Sequence, residues 1–186
     1  MKHMNSDANA FERGDDGVLR DAFERAPSDF PSSRMEYPFL VSEAALDDFV
    51  HRWDTGRLTK TELTHAAHVG TAAYFAFDLE AEALFERMKS GIIHHNESVG
   101  TANTEDNGYH ETLTRFWVET IVEFMRSRSL STRFEAVKHA AQRFGKDRDR
   151  HRLYYSFDVV RDRRARREWI KPDREPPVGE AISNRS

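Results

Sequence analysis

The stretch AAHVGTAAYFAF, residues 66–77, carries apolar or small side chains on every side of a helical projection. A helix with no polar face cannot lie on a surface; it belongs inside a bundle, covered by other helices. Ala66, Ala67, Gly70 and Ala73 are small enough for neighbouring helices to approach closely. A chain built on such a rod must also supply amphipathic helices to surround it.

The remaining sequence supplies them. SEAALDDFVHRWDTG begins with a serine cap, places Leu46, Phe49, Val50 and Trp53 at helical spacing, and stops at Gly56. The central helix is predicted over 59–77, opened by Thr59 with Glu62 three residues on as a capping box. A third helix covers 79–98, with Leu84, Met88, Ile92, His95 and Val99 on one stripe. A fourth runs from Tyr109 to about Arg128, with His110, Leu113, Trp117, Ile121 and Phe124 in register. Ser131 or Thr132 opens a fifth that Gly145 closes, and a shorter sixth falls within 147–168. No segment alternates with period two. The expected fold is all-α: a single-domain bundle of five to six helices around the central apolar helix 59–77.

Outside the bundle the composition changes. Residues 1–14 read as a disordered tail, and 15–41 as a short helix followed by a proline-rich strap that Phe30, Tyr37, Phe39 and Leu40 pin down. The helical domain spans 42–170, and 171–186 form an extended tail. The N-terminus lacks the apolar stretch of a secretory signal, and no apolar run reaches the ~18 residues of a membrane span. A cytoplasmic location without membrane association is the resulting expectation. A net charge of −4 argues against a dedicated nucleic-acid binder. The five arginines of RDRRARREW, 161–169, raise that reading locally, but Asp158, Asp162 and Glu168 interleave with them. A solvated helix face suits them better, and some could reach the mouth of a pocket; Trp169 and Ile170 would dock the C-terminal segment.

Two imidazoles interrupt the apolar rod. His65 and His68 lie three positions apart, one turn along the same face, or about 4.5 Å along the axis. An imidazole buried without a partner costs about 1–3 kcal/mol, so each requires a hydrogen bond or a metal. His110 heads the apolar stripe of the fourth helix, where the positive end of the helix dipole keeps the ring neutral. His95 faces inward from the third helix. With no cysteine in the chain, any ion must be held by nitrogen and oxygen. His65, His68, His110 and His95 are therefore candidate ligands for a divalent metal ion, Zn or Fe, with a coordination position left open. The plainer reading is that the histidines are satisfied core residues and that Glu62 is a capping carboxylate. Tyr109 and Glu111 are the nearest candidates for proton transfer, with Arg115 and Thr64 as substrate-binding groups. Their plain readings are an aromatic at a helix start, a Glu111–Arg115 surface pair and a helix cap. The loop 100–108 could close over the site.

The segments LTHAAHV and GYHETLTRFWV resemble a group of small, uncharacterised all-helical proteins. Those proteins carry T-H-x-x-H followed some 40 residues later by Y-H-E-T. Thr64, His65 and His68, then Tyr109, His110, Glu111 and Thr112, stand in those motifs, and Tyr154, Tyr155, Trp169, Pro172 and Asp173 match the group's ending. The resemblance spans roughly 42–173 and implies a shared helical fold, with no activity attached. His95 has no counterpart in the pattern.

Two functions follow. One is a mononuclear metal-dependent enzyme, a hydrolase with zinc or an oxygenase with iron, acting on a small-molecule substrate through the histidine site. The other is a non-catalytic helical binding or interaction protein whose histidines are structurally hydrogen-bonded. A homodimer through an exposed helix is compatible with either.

Overall fold

The structure, a computed structural model, describes residues 37–176. The expected N-terminal tail, the short helix and most of the strap, with Phe30, lie outside the described residues, as does the tail from 177 onward. Six α-helices and two short 3-10 turns make up the described chain, and no strand occurs among the described residues. None of these helices is long and apolar enough to cross a membrane.

Helix α1 (Glu43–Asp54) is opened by the Ser42 hydroxyl, which accepts the Ala45 N–H at 3.1 Å, and Gly56 turns the chain away at φ +66°. The central helix α2 (His65–Ala76) begins later than the sequence suggests. Residues 59–63 form a turn instead. There the Glu62 carboxylate accepts the Thr59 N–H at 2.8 Å and its hydroxyl at 2.7 Å, and takes the Arg52 guanidinium at 2.6 and 2.8 Å. Those two Thr59 bonds, followed by Arg52, hold the Glu62 carboxyl down at about 2. Glu62 thus folds a turn rather than opening the helix; the cap is Thr64, whose hydroxyl accepts the Ala67 N–H at 3.3 Å.

Helices α3 (Ala81–Ser98), α4 (Glu111–Arg126) and α5 (Arg133–Phe144) surround α2. Ala67 and Ala73 are fully buried in this packing. A Cβ on Gly70 would stand 2.8 Å from the Phe39 ring, so glycine is what lets the 3-10 turn Pro38–Leu40 lie against α2. Phe39 and Leu40 are buried there, as read from the strap. Thr132 and Glu135 form the reciprocal capping box of α5.

Beyond α5 the chain makes a 3-10 turn, Arg150–Leu153, and the five-residue helix α6 (Arg163–Arg167). A small second core of Phe116, Tyr155, Val159 and Ala165 joins this region to α4, with Trp169 and Ile170 packed on it. Thr112 ties the ends together: its hydroxyl donates to Glu168 O at 2.7 Å and accepts the Ile170 N–H at 3.0 Å. The start of the segment expected as an extended tail is held against residues 154–156. Asp173 accepts the Ser156 N–H at 2.8 Å and donates its own N–H to Tyr154 O at 3.1 Å.

The basic stretch has a structural use. Arg163 grips Asp106 with two bonds of 2.8 Å, Arg167 pairs with Glu105, and Arg166 donates to the Gly108 and Tyr109 carbonyls at 3.2 Å. These arginines clip the loop before α4 onto α6, and Arg164 pairs with Glu168 within its own turn.

Candidate functional site

One cavity of about 650 Å³ opens between α2, α4 and the segment 148–161. His65 and His68 enter it from α2 because the Thr64 cap places residue 65 at the first helical position and residue 68 one turn later. Trp117, Leu113, Met88 and Ile92 supply an apolar floor from α4 and α3. The opposite rim comes from residues 148–161. Buried Arg150 anchors that segment, donating to Asp147 at 3.2 Å and to the Tyr154 hydroxyl at 3.3 Å. The rim carries Arg148, Asp149, His151, Arg152, Asp158 and Arg161.

The four histidines read as ligands have different occupations. His65 donates Nε2–H to the Phe144 carbonyl at 3.1 Å, one of the C-terminal carbonyls that α5 leaves without a helical donor. That bond fixes its tautomer and leaves Nδ1 as the acceptor, while the ring packs edge-on against Trp117 with centroids 4.6 Å apart. Burial lowers its pKa despite the Phe144 bond. His68 is half-buried, lines the cavity and makes no hydrogen bond with any described residue. Burial, reinforced by His65 and His95, lowers its pKa to about 4, so the ring is neutral at pH 7.

His110 departs from expectation. It is the N-cap of α4 rather than a residue within it: Nδ1 accepts the Leu113 N–H at 3.2 Å and Nε2–H donates to the Val159 carbonyl at 3.0 Å. Both ring nitrogens are occupied by the fold, and burial lowers the pKa to about 4. In this arrangement His110 has no lone pair to offer a cation. His95 is buried as the stripe of α3 requires, but it is absent from the cavity lining, and its Nδ1 has no hydrogen bond. Among the described residues, no three His, Asp or Glu side chains gather closely enough to hold a metal ion. The shared site expected of residues 65, 68, 110 and 95 is therefore reduced to two imidazoles from one helix.

The other named groups also disperse. Tyr109 lines the cavity, but its phenol donates to Glu111 at 3.0 Å, and burial followed by the Glu111 charge pushes its pKa well above the ordinary value. A phenol so held is a poor proton donor. Glu111 pairs with Lys89 at 2.9 Å in a separate recess of about 420 Å³ rather than with Arg115. Arg115 instead bridges α3 and α4, bonding Glu82 at 2.7 Å and Glu119 at 3.3 Å, and does not reach the cavity. Thr64 caps α2 through its hydroxyl oxygen and is absent from the cavity lining.

The sequence reading missed Arg148 and His151, together with the cavity face of Trp117. Trp117 looked like ordinary stripe. The stretch RDRHRLYY, residues 148–155, carries no periodicity because it folds around a short 3-10 turn, so nothing in its pattern marks residues 148 and 151 as lining the cavity.

These geometries separate a structural histidine from an available one. His110→Ala is expected to cost about 2–4 kcal/mol, combining a lost cap with an unpaired Val159 carbonyl. His110→Asn should recover the capping part, roughly 1 kcal/mol. His68→Ala has no hydrogen bond to lose and should cost less than either, as read by urea unfolding. A larger loss for His68→Ala than for His110→Ala would contradict these assignments.

The sequence matches no family model and no curated protein, and the fold matches no solved structure.

Proposed function

We propose that this chain binds a small organic molecule in the cleft between α2, α4 and residues 148–161, with the His68 and His65 rings as its hydrogen-bonding groups. The observation that carries this reading is His68. It is a neutral imidazole on a cavity wall, partly withdrawn from water, with no hydrogen-bond partner among the described residues. Such a group costs about 1–3 kcal/mol when left unpaired, and a ligand that bonds it regains part of that cost. The cavity has the size and mixed lining of a small-molecule site, apolar below with a few convergent polar groups. His110, with both nitrogens bonded to backbone, supports the non-catalytic form of the reading, in which some histidines only hold the walls.

A fragment screen followed by amide NMR tests this. Binders should shift resonances of residues lining the cleft, and Thr114→Trp, which fills one wall, should abolish those shifts without unfolding the protein. Shifts scattered over the surface and indifferent to that substitution would overturn it.

One specific observation favours a second reading, the metal-dependent hydrolase or oxygenase. The His65 Nε2–H bond to a backbone carbonyl is the outer-sphere contact that commonly orients a metal-ligating histidine, and it leaves Nδ1 on the ring's other side. His68 follows one turn later. Under this reading tag-free protein takes up zinc or ferrous iron stoichiometrically, and both His65→Ala and His68→Ala abolish uptake. Elemental analysis showing no retained metal, before or after loading, rejects it.

A further inference from the structure

We propose that the cleft selects an organic monoanion with an apolar body, its acid group held by Arg148 on the rim and its body lying on Trp117, Leu113 and Met88. This inference rests on the reading of the cleft as a small-molecule site and specifies the ligand's charge.

Charge pairing on the rim singles out Arg148. Five charged side chains line the cavity: Arg148, Asp149, Arg152, Asp158 and Arg161. Both acids already have partners on the rim. Asp149 meets Arg152 at 3.3 Å, and Asp158 meets Arg161 at 3.7 Å. The Arg148 backbone bonds His151, but its guanidinium makes no ion pair and no hydrogen bond with any described residue. The imidazoles facing the cavity do not alter the sum, because burial lowers the pKa of His65, His68, His110 and His151 alike. One guanidinium is therefore left uncompensated at the opening of a neutral, apolar-floored cavity.

Its position is also suitable. Arg148 lies close enough to His65 for its charge to disfavour protonation of that ring. An acid group bound to Arg148 would thus sit within reach of the α2 imidazoles. A guanidinium offers paired N–H donors to carboxylate or phosphoryl oxygens, whereas a neutral amide gains no comparable bond. Below the rim, Val69, Ala72, Met88, Ile92, Leu113 and Trp117 offer hydrocarbon and one aromatic face, which suits a body without further charge. A single free cation favours one negative charge. A phosphate monoester, carrying nearly two, would leave charge without a partner in a cavity whose other basic groups are already paired or neutral.

Four probes test the inference by amide NMR on the full chain: phenylacetate, phenylacetamide, phenyl phosphate and inorganic phosphate. The expected result is that phenylacetate shifts the cleft resonances and binds about tenfold more tightly than phenylacetamide. Arg148 is exposed, so Arg148→Gln should leave the fold intact, remove most of that advantage and leave phenylacetamide unaffected. Equal affinities for acid and amide in the cleft would overturn the charge selection while leaving the small-molecule reading in place. Tighter binding of phenyl phosphate than of phenylacetate would overturn the preference for a single charge. Inorganic phosphate binding as well as phenylacetate would reduce the site to a surface cation and overturn the apolar component. If neither aromatic acid nor amide perturbs the cleft, the small-molecule reading falls together with this inference.

Discussion

Acidification from pH 7 to pH 4 is expected to remove roughly 3 kcal/mol of stability through His110 alone, with further losses from the other buried imidazoles. The pKa of His110 and of His68 lies near 4 in the fold, against 6.5 for the free side chain. Between those values the unfolded chain binds more protons than the folded one, so acid favours unfolding. The contribution is complete above about pH 6.5, declines as pH falls and is gone below about pH 4. His65, His95 and His151 are lowered by burial and act in the same direction. Glu62, held near 2 against 4.5 for the free side chain, loses its contribution as pH falls from about 4.5 to 2, mostly below this window. Urea unfolding across the range should show the midpoint falling steeply between pH 6.5 and 4. A flat profile there would mean that these rings are solvated in the fold.

The second large effect concerns packing. Gly91 lies within α3 against the indole of Trp53, and a Cβ at that position would stand 2.0 and 2.1 Å from two ring carbons. Trp53 is fully buried and cannot retreat: Phe75 lies 5.7 Å away, and the Arg87 guanidinium covers the ring at 5.0 Å. Gly91→Ala must therefore push α1 and α3 apart. The expected loss is about 3 kcal/mol or more, the upper end for overpacking, and it outweighs the ~1 kcal/mol that alanine gains in helix propensity. Combining it with Trp53→Phe, which shortens the ring, should recover part of the loss. Denaturant unfolding followed by circular dichroism measures both variants. Full stability of Gly91→Ala would show that this contact is looser than described.

The fold was largely legible because its determinants are local. An all-apolar run required a central helix, and the spacing of Leu46, Phe49, Val50 and Trp53, or of Leu84 and Met88, required helices to cover it. Caps were legible where one side chain meets one backbone amide, as at Ser42 and Thr132. They misled where two signals overlapped. Thr59 and Glu62 look like a capping box, but Arg52, brought in from α1, helps hold Glu62 in a turn, and Thr64 takes over the cap.

The site was legible only in part, because its other half comes from chain that has no period. His65 and His68 could be placed on one face from spacing alone. That His110 would cap α4 and bond Val159, 49 residues away, could not be read from the stripe it heads. Arg115 illustrates the same limit: a plausible clamp at one turn from Glu111, it turns instead to Glu82 across the α3–α4 contact. The arginines after residue 160 acquire meaning only once the loop at 105–108 is seen beneath them.

The ring nitrogens of His65, His68 and His110 offer the most direct test, through long-range proton–nitrogen correlation spectra recorded at pH 7. All three should be neutral, with His110 in the Nε2–H form. Addition of phenylacetate should shift the His68 and His65 nitrogens and leave those of His110 where they are. Rings of residues 65 and 68 that ignore every cleft-directed probe, or a His68 that titrates near 6.5, would contradict the account.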